Sequence, residues 1–189
     1  MTLTNVISPQ WTVNTSQFRE SFWEASPFPL LVLDDFLEPA FADELLRDFP
    51  AIDDMPRSRD YMFGDKHELS GLDEGGSAAR RYFEVTTSLA FQRFLTELTG
   101  FELFVDPTFF GGGFHQGGDG SFLDMHVDFN IHPEHPEWLR TLNILVYLTK
   151  DWDPEWGGQL LLKSSATGPA RAIDPLFNRA VIMQTGDST

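Results

Sequence analysis

The spacing of hydrophobic residues along this chain changes in character near Gly100. Before that point, the apolar run at residues 30–36 predicts a short buried strand. Two stretches then repeat apolar residues every three or four positions, which is the spacing of one helix face. The first helix opens at Pro39 and ends at Pro50, and the second covers residues 86–98, with Gly100 as its stop signal. The apolar positions of the two helices are Phe41, Leu45, Leu46 and Phe49, and Leu89, Phe91, Phe94, Leu95 and Leu98.

Residues 55–77 lack either spacing and are polar, charged and glycine-rich, so they predict an exposed loop that could act as a lid. After Gly100 the text becomes strand-like, with turn residues between short apolar runs. The runs read FELFV, FLDMHVDF, TLNILVYLT, GGQLLLK, RAI and AVIMQT, and a bend at Gly111 to Gly113 follows the first of them. Several short strands at this spacing favour an antiparallel barrel or jelly roll.

The length of 189 residues suits a single domain. We therefore expect one α+β domain over residues 1–189, mainly β, in which residues 1–100 form a helical support and residues 101–189 form a jelly-roll core. Hydrophobic residues make up 41% of the chain and phenylalanine occurs 18 times, so we expect a folded protein with a phenylalanine-rich core.

Charge and cysteine content narrow the possible functions. The 29 acidic and 13 basic side chains give a net charge of −16, which argues against nucleic acid and anionic membranes as partners. An anionic ligand would need its own local cation or metal. The chain has no cysteine, which excludes disulfides, thiolate metal sites and a cysteine nucleophile. We see no signal peptide in the first 25 residues and no apolar run of membrane-spanning length, so we expect a cytoplasmic protein.

His126 and Asp128 are the strongest candidates for chemistry. They lie two residues apart in a predicted strand, so both side chains leave the same face, about 6.6 Å apart along the backbone. An imidazole and a carboxylate without a thiolate are two of the three ligands of the facial triad that binds Fe(II) and leaves positions open for substrate and O2. The alternative is that both are surface polar residues on a half-exposed strand.

Residues 111–162 resemble the prolyl 4-hydroxylase-like branch of the Fe(II)- and 2-oxoglutarate-dependent dioxygenases. The matching text is GGGFHQGGDGSFLDMHVDFN followed by RTLNILVYLTKDWDPEWGGQLLL. In that family, a His-x-Asp strand precedes an arginine-led strand that ends in Tyr-Leu, and a tryptophan-rich turn then leads to Gly-Gly. The N-terminal text PFPLLVLDDFLEPAFADELL also resembles the family's entry strand and helix, so the likeness covers most of residues 27–187.

The resemblance implies a double-stranded β-helix fold, also called jelly-roll or cupin-like, and a hydroxylase that uses Fe(II), 2-oxoglutarate and O2, with ascorbate as a reductant. His126 and Asp128 would be iron ligands and catalytic residues. Alternation along residues 141–149 puts Asn143, Leu145 and Tyr147 on one face. By resemblance, Tyr147 would donate its hydroxyl to the distal carboxylate of 2-oxoglutarate, and Asn143 and Leu145 would line the pocket. The substrate would be a small molecule or a peptide.

For the other histidines, Arg140 and the two tryptophans near residue 154, we expect mainly structural or solvent-exposed positions. We expect His67 to be exposed and His132 and His135 to be solvated, while His115 and Gln116 could line a pocket entrance or form an ordinary turn. Arg140 is expected to be structural or on the rim. We expect Trp152 and Trp156 to pack in the core and the turn.

The third iron ligand of the family is a histidine shortly after the strand that reads RAVIMQTGDST here, and a basic residue further on binds 2-oxoglutarate. We expect both to fall beyond Thr189, together with the last strands of the barrel. The sequence could be a fragment, a natural truncation without activity, or a chain completed by a partner, and we favour the first two.

Two other functions stay open. The chain could be an inactive jelly-roll binding module with at most a weak metal site. It could also be a cupin-like metal protein of other chemistry, which would need His115 or a loop histidine to reach the metal.

Overall fold

The computed structural model describes residues 3–60, 64–71, 75–165 and 167–186. The described part contains five α-helices, short 3-10 turns and nine β-strands. The helices are α1 Pro9–Thr12, α2 Arg19–Trp23, α3 Pro39–Arg47, α4 Ser77–Thr86 and α5 Leu89–Thr99. The strands are β1 Leu30–Leu33, β2 Arg57–Asp60, β3 Gly64–Leu69, β4 Phe114–Gln116, β5 Phe122–Leu123, β6 Leu142–Tyr147, β7 Leu160–Leu162, β8 Arg171–Ile173 and β9 Arg179–Gln184. Within this part, no helix is long and apolar enough to cross a membrane.

The chain divides into two compact units, and each is built from separate stretches of sequence. The first unit comprises Met1–Val13, Leu37–Thr96 and Glu102–Met125. The second comprises Asn14–Phe36, Glu97–Phe101 and His126–Thr189. Residues 14–36 therefore belong to the same unit as the C-terminal strands. The single-domain organisation that we inferred from length stays a prediction.

The first unit contains a sheet that the sequence did not predict. Its order is β2-β3-β4, and β5 also pairs with β3. Residues 57–60 and 64–69 form antiparallel strands where we expected a loop, so that prediction is wrong for them. Arg57 and the buried Asp65 form a two-pronged ion pair, with both N–O distances 2.7 Å. This ion pair joins β2 to β3, although both strands are rich in charged residues. Residues 61–63 and 72–74, also in the expected lid, lie outside the described residues.

The sequence also did not predict helix α4, because few strongly apolar residues lie in this stretch. Its buried residues are small or only moderately apolar: Ala78, Ala79, Val85 and Thr86. The helix begins under the carboxylate of Asp48, whose Oδ2 accepts hydrogen bonds from the backbone N–H groups of Ala78 at 2.6 Å and Ala79 at 3.1 Å. The acceptor comes from the residue after α3, so the cap is a tertiary contact. Gly76 leaves room for that carboxylate, because a Cβ there would collide with it.

The second unit is built on an antiparallel sheet of order β1-β9-β6. Its central strand β9 is deeply buried from Ala180 to Met183, which fits its continuous apolar text. On one face, Leu30, Val181, Met183, Leu162 and Ile173 form a core cluster. Leu162 and Ile173 belong to the β7-β8 pair, so this hairpin covers that face of the sheet. The predicted strands at residues 30–36, 141–149 and 180–185 are confirmed, although β1 and β6 are shorter than predicted.

Phenylalanine does dominate the buried aromatic side chains, as predicted. The buried phenylalanines among the described residues are Phe22, Phe36, Phe41, Phe91, Phe94 and Phe114.

The strand expected at residues 101–105 does not form. The segment after α5 instead has no regular secondary structure, and Trp23 contacts its start. The Trp23 indole Nε1 donates a hydrogen bond of 2.8 Å to the carbonyl of Thr99, and its ring lies 5.2 Å from that of Phe101. Local apolar content was therefore an incorrect sign of a strand, and it did not produce full burial either, since Phe104 is 53% exposed.

Candidate metal centre

His126 and Asp128 lie in an extended segment between β5 and β6. The segment is outside any ladder, so the strand predicted across these residues is wrong beyond Leu123. The two side chains nevertheless converge, as their spacing predicted. His126 Nε2 and Asp128 Oδ1 are 3.4 Å apart, and the side chains are 42% and 22% exposed. Both donor atoms are therefore near each other at a position that solvent can reach.

The donor set fits a divalent metal ion. Metal bonds to imidazole nitrogen and carboxylate oxygen are about 2.0 to 2.2 Å long, so two donors 3.4 Å apart can both reach one ion. A nitrogen and oxygen set without sulfur suits non-haem Fe(II). Within the described ranges, no group of three histidine or acidic side chains comes together. His126 and Asp128 thus offer two donors, whereas a facial triad requires three.

The second oxygen of Asp128 faces two residues of the next structural segment. Its Oδ2 accepts a hydrogen bond of 3.1 Å from the amide Nδ2 of Asn143 on β6. The guanidinium of Arg140 lies 3.4 Å from the same oxygen and stacks over the ring of Phe129 at 4.7 Å. The two oxygens of the Asp128 carboxylate therefore have different neighbours. Oδ2 contacts Asn143 and Arg140, and Oδ1 faces His126.

These contacts give Arg140 and Asn143 roles that the sequence did not predict. We expected Arg140 at the rim or in a structural role, and Asn143 on the wall of a co-substrate pocket. The available signals were the position of Arg140 just before β6 and the presence of an amide on the polar side of that strand. Neither signal identifies the acceptor, because Asp128 is 15 residues from Asn143.

The face of β6 that carries Asn143 also carries Leu145 and Tyr147, as the alternation predicted. The three residues lie opposite Met183, Val181 and Arg179 of β9. Leu145 and Tyr147 pack against the core cluster of this unit. Burial raises the pKa of the Tyr147 hydroxyl to about 12, although the nearby Arg179 cation opposes the rise. The hydroxyl is therefore a proton donor over the whole physiological range.

Arg179 lies opposite Tyr147 of this row, and its guanidinium is engaged by an acid. Its Nε and Nη2 donate to the carboxylate of Asp34 at 2.6 and 3.0 Å. This contact lowers the pKa of Asp34 and raises that of Arg179. The pair ties the end of β1 to the start of β9.

The loop between Asp128 and β6 is closed by His132, which is buried at 7% exposure. Its Nδ1 accepts hydrogen bonds from the backbone N–H groups of Glu134 at 3.2 Å and His135 at 3.1 Å. We expected both histidines to be solvated, and this is wrong for His132. His135 stacks on Trp138, with ring centroids 3.9 Å apart. Both histidines therefore stabilise the loop.

The remaining histidines lie in the first unit. His115 is on β4, opposite Glu68 and 3.4 Å from the Lys66 amine. Burial is the main cause that lowers the pKa of His115, Lys66 adds to it and Glu68 opposes it. His67 is opposite Gln116 across the same pair of strands. The bend at residues 111–113 forms before β4, as predicted, and uses positive φ at Gly111 and Gly113.

The two tryptophans of the turn before β7 differ. Trp152 packs in the turn as expected, and its Nε1 donates a hydrogen bond of 2.8 Å to the Gly157 carbonyl. Trp156 is 66% exposed, so the expectation that it packs internally is wrong.

Comparisons with known proteins agree with the resemblance seen in the sequence. Residues 112–189 match the family described as the 2OG-Fe(II) oxygenase superfamily. No curated protein sequence matches the chain.

Two solved structures resemble the fold at 16% identity. One is a prolyl hydroxylase from Trichoplax adhaerens in complex with a peptide fragment of the hypoxia inducible factor oxygen degradation domain. The match has a TM-score of 0.62 and covers 95% of this chain and 82% of that one. The other is a Pseudomonas putida prolyl-4-hydroxylase, with a TM-score of 0.63 and coverage of 90% and 86%. The predicted α+β jelly-roll fold is thereby confirmed.

Proposed function

We propose that this chain is a prolyl hydroxylase-like 2OG-Fe(II) oxygenase that binds Fe(II) through His126 and Asp128. Its family match and its fold support the proposal. One observation carries the assignment. The imidazole nitrogen and carboxylate oxygen stand 3.4 Å apart within the matched residues. A pair of surface polar residues would not require one carboxylate oxygen to be held by protein while the other faces the imidazole.

The overall reaction would oxidise 2-oxoglutarate to succinate and CO2 while one oxygen atom of O2 becomes a hydroxyl group on the substrate. Bound Fe(II) would supply the open coordination positions at which O2 and the co-substrate meet. His126 and Asp128 would hold the metal on one side. Their side chains are 42% and 22% exposed, so other molecules can reach the two donors.

Tyr147 and Leu145 would receive the co-substrate on the adjacent face of β6. The protonated hydroxyl of Tyr147 can donate a hydrogen bond to a carboxylate, and such a charge-assisted bond is stronger than a neutral one. Leu145 would provide an apolar wall beside it. The net charge of −16 opposes an anionic co-substrate, so a cation must also face its carboxylate.

The substrate would be a small molecule or a peptide, with ascorbate able to serve as the external reductant. The Trichoplax adhaerens structure contains a peptide, which makes a peptidyl substrate the first class to test. We also propose that neither nucleic acid nor a membrane is a partner and that the protein is cytoplasmic. The acidic balance of the sequence supports the exclusion of nucleic acid.

Anaerobic metal binding tests the central proposal. Fe(II) and Co(II) contents should fall strongly in the double variant His126→Ala, Asp128→Ala. The variant His67→Ala, which removes an imidazole from the other unit instead, should retain the wild-type metal content. Equal metal content in the wild type and the double variant would refute the assignment.

A second candidate function is a binding module with a weak metal site, because only two donors converge among the described residues. Succinate formation from 2-oxoglutarate distinguishes the two functions. We expect no turnover from residues 1–189 and activity from the same residues extended by a family-like tail that carries a histidine and a basic residue. Turnover by the shorter protein that depends on His126 would contradict this expectation and direct mutagenesis to His115, His132 and His135.

A further inference from the structure

We infer that Asn143 is a positioning residue that holds the Asp128 carboxylate so that Oδ1, and not Oδ2, is presented to the metal. The inference rests on the proposed function and adds a residue to its site. It also separates Asn143 from Leu145 and Tyr147, with which it shares a strand face. Arg140 assists in the same task.

The first argument is the direction of the hydrogen bond. A carboxylate that is free to rotate presents either oxygen to a metal and loses conformational entropy when it binds. Here the Asn143 amide donates to Oδ2 at 3.1 Å, and Oδ1 lies 3.4 Å from His126 Nε2. The amide therefore selects one of two equivalent rotations before a metal arrives.

The second argument is that Asn143 is itself rigidly held. It lies inside β6, where its backbone pairs with Met183 of the buried strand β9. Asp128, by contrast, belongs to an extended segment outside any ladder. The ladder fixes the backbone of Asn143, so its amide can hold a carboxylate on a segment that has no ladder.

The third argument concerns Arg140, whose backbone is fixed on both sides. Its N–H donates to the Asn130 carbonyl at 2.8 Å, and its carbonyl accepts the Thr185 hydroxyl at 2.9 Å. Its guanidinium also rests on the Phe129 ring. The cation is therefore held beside Asp128 Oδ2, at 3.4 Å. Two donors converge on one oxygen, as expected when that oxygen is reserved for the protein.

The test compares Co(II) affinity in wild-type protein, Asn143→Leu and Gln92→Leu. Leucine has nearly the shape of asparagine but cannot donate a hydrogen bond. Loss of a residue that orients a ligand typically weakens metal binding about 10- to 100-fold, and we expect this range for Asn143→Leu. Gln92→Leu removes an amide from α5 instead and should leave the Co(II) affinity unchanged.

A metal-free measurement keeps the inference testable if Asn143→Leu folds poorly. In the NMR spectrum of the apo protein, the side-chain NH2 signal of Asn143 should move when Asp128 is changed to alanine. It should not move in His67→Ala, because His67 lies in the other unit. If the chemical shift of the Asn143 NH2 signal is the same in wild type and Asp128→Ala, the inference is overturned, whatever the metal affinity.

The outcomes separate the inference from the proposed function. If wild type and Asn143→Leu bind Co(II) equally, and the double variant His126→Ala, Asp128→Ala does not, only the inference is overturned. If wild type binds no more Co(II) than the double variant, the proposed function is refuted and the inference falls with it. Both are supported if Asn143→Leu loses Co(II) affinity 10- to 100-fold, Gln92→Leu does not, and the double variant loses binding.

Discussion

The replacement Tyr147→Phe removes a single hydroxyl from the face of β6 on which we place 2-oxoglutarate. Phenylalanine keeps the ring that packs against the core cluster, so the packing of the sheet should be preserved. Burial holds the pKa of the hydroxyl at about 12. The wild-type group is therefore a neutral donor at every pH used for such assays.

The size of the effect follows from the kind of hydrogen bond that is lost. A bond between a neutral donor and a charged acceptor contributes about 1.5 to 3 kcal/mol, and each 1.4 kcal/mol is roughly tenfold in affinity. Tyr147 is only partly buried, so solvent can replace some of the lost interaction. We expect the lower end, a dissociation constant for 2-oxoglutarate raised about tenfold.

The assay is a titration of 2-oxoglutarate into metal-loaded, anaerobic protein that carries the family-like tail. Tyr82→Phe is the matched control, because Tyr82 lies on α4 in the other unit. The ratio of the two constants, wild type to Tyr147→Phe, should also stay constant from about pH 6.5 to 9, since a pKa near 12 leaves the hydroxyl protonated throughout. An unchanged constant in Tyr147→Phe, or an equal change in Tyr82→Phe, would refute the reasoning.

Three further predictions concern the stability of the fold. Asp48→Ala should lower the free energy of unfolding by about 0.5 to 2 kcal/mol in chemical denaturation, because α4 loses the acceptor of two N–H groups; no change would mean that water replaces it fully. Phe22→Ala, at a fully buried position, should cost about 3 to 5 kcal/mol, and a cost below 1 kcal/mol would contradict the packing seen there. The ion pair of Arg179 and Asp34 stabilises the fold fully above the ordinary Asp34 pKa of 3.8 and is lost as the pH falls through the lowered pKa of the folded state. Wild type should therefore lose more stability than Arg179→Gln as the pH falls below 3.8, and parallel pH profiles would contradict this.

Where a single residue pattern carried a strong physical constraint, the sequence predicted the structure. The apolar residues of β9 and β1 form buried strands because removing their side chains from water is favourable. The helix predicted from Pro39 forms because the first turn of a helix accommodates proline and because its apolar residues share one face. The convergence of His126 and Asp128 also followed from their spacing, even though no ladder forms around them.

Prediction failed where contacts that exist only in the folded chain compensate for weak local signals. The charged text of β2 and β3 looked like a loop because the Arg57–Asp65 pairing that stabilises it exists only after the strands meet. Helix α4 buries mostly small residues and receives its N-terminal acceptor from Asp48, 30 residues earlier. Neither partnership can be read from local composition.

The sequence by itself determined the family resemblance, the jelly-roll type of fold and the pair of side chains that we propose as metal donors. Those features depend on residue type and short-range spacing, which the chain carries directly. The tertiary structure decided which oxygen of Asp128 stays available, because Arg140 and Asn143 reach Oδ2 only when the loop after Asp128 closes onto β6. It also decided that His132 supports this loop, since only the folded loop brings two backbone N–H groups to its Nδ1. Hydrogen bonds are short and directional, so the roles of these residues follow from distances of a few ångströms that residue order does not encode.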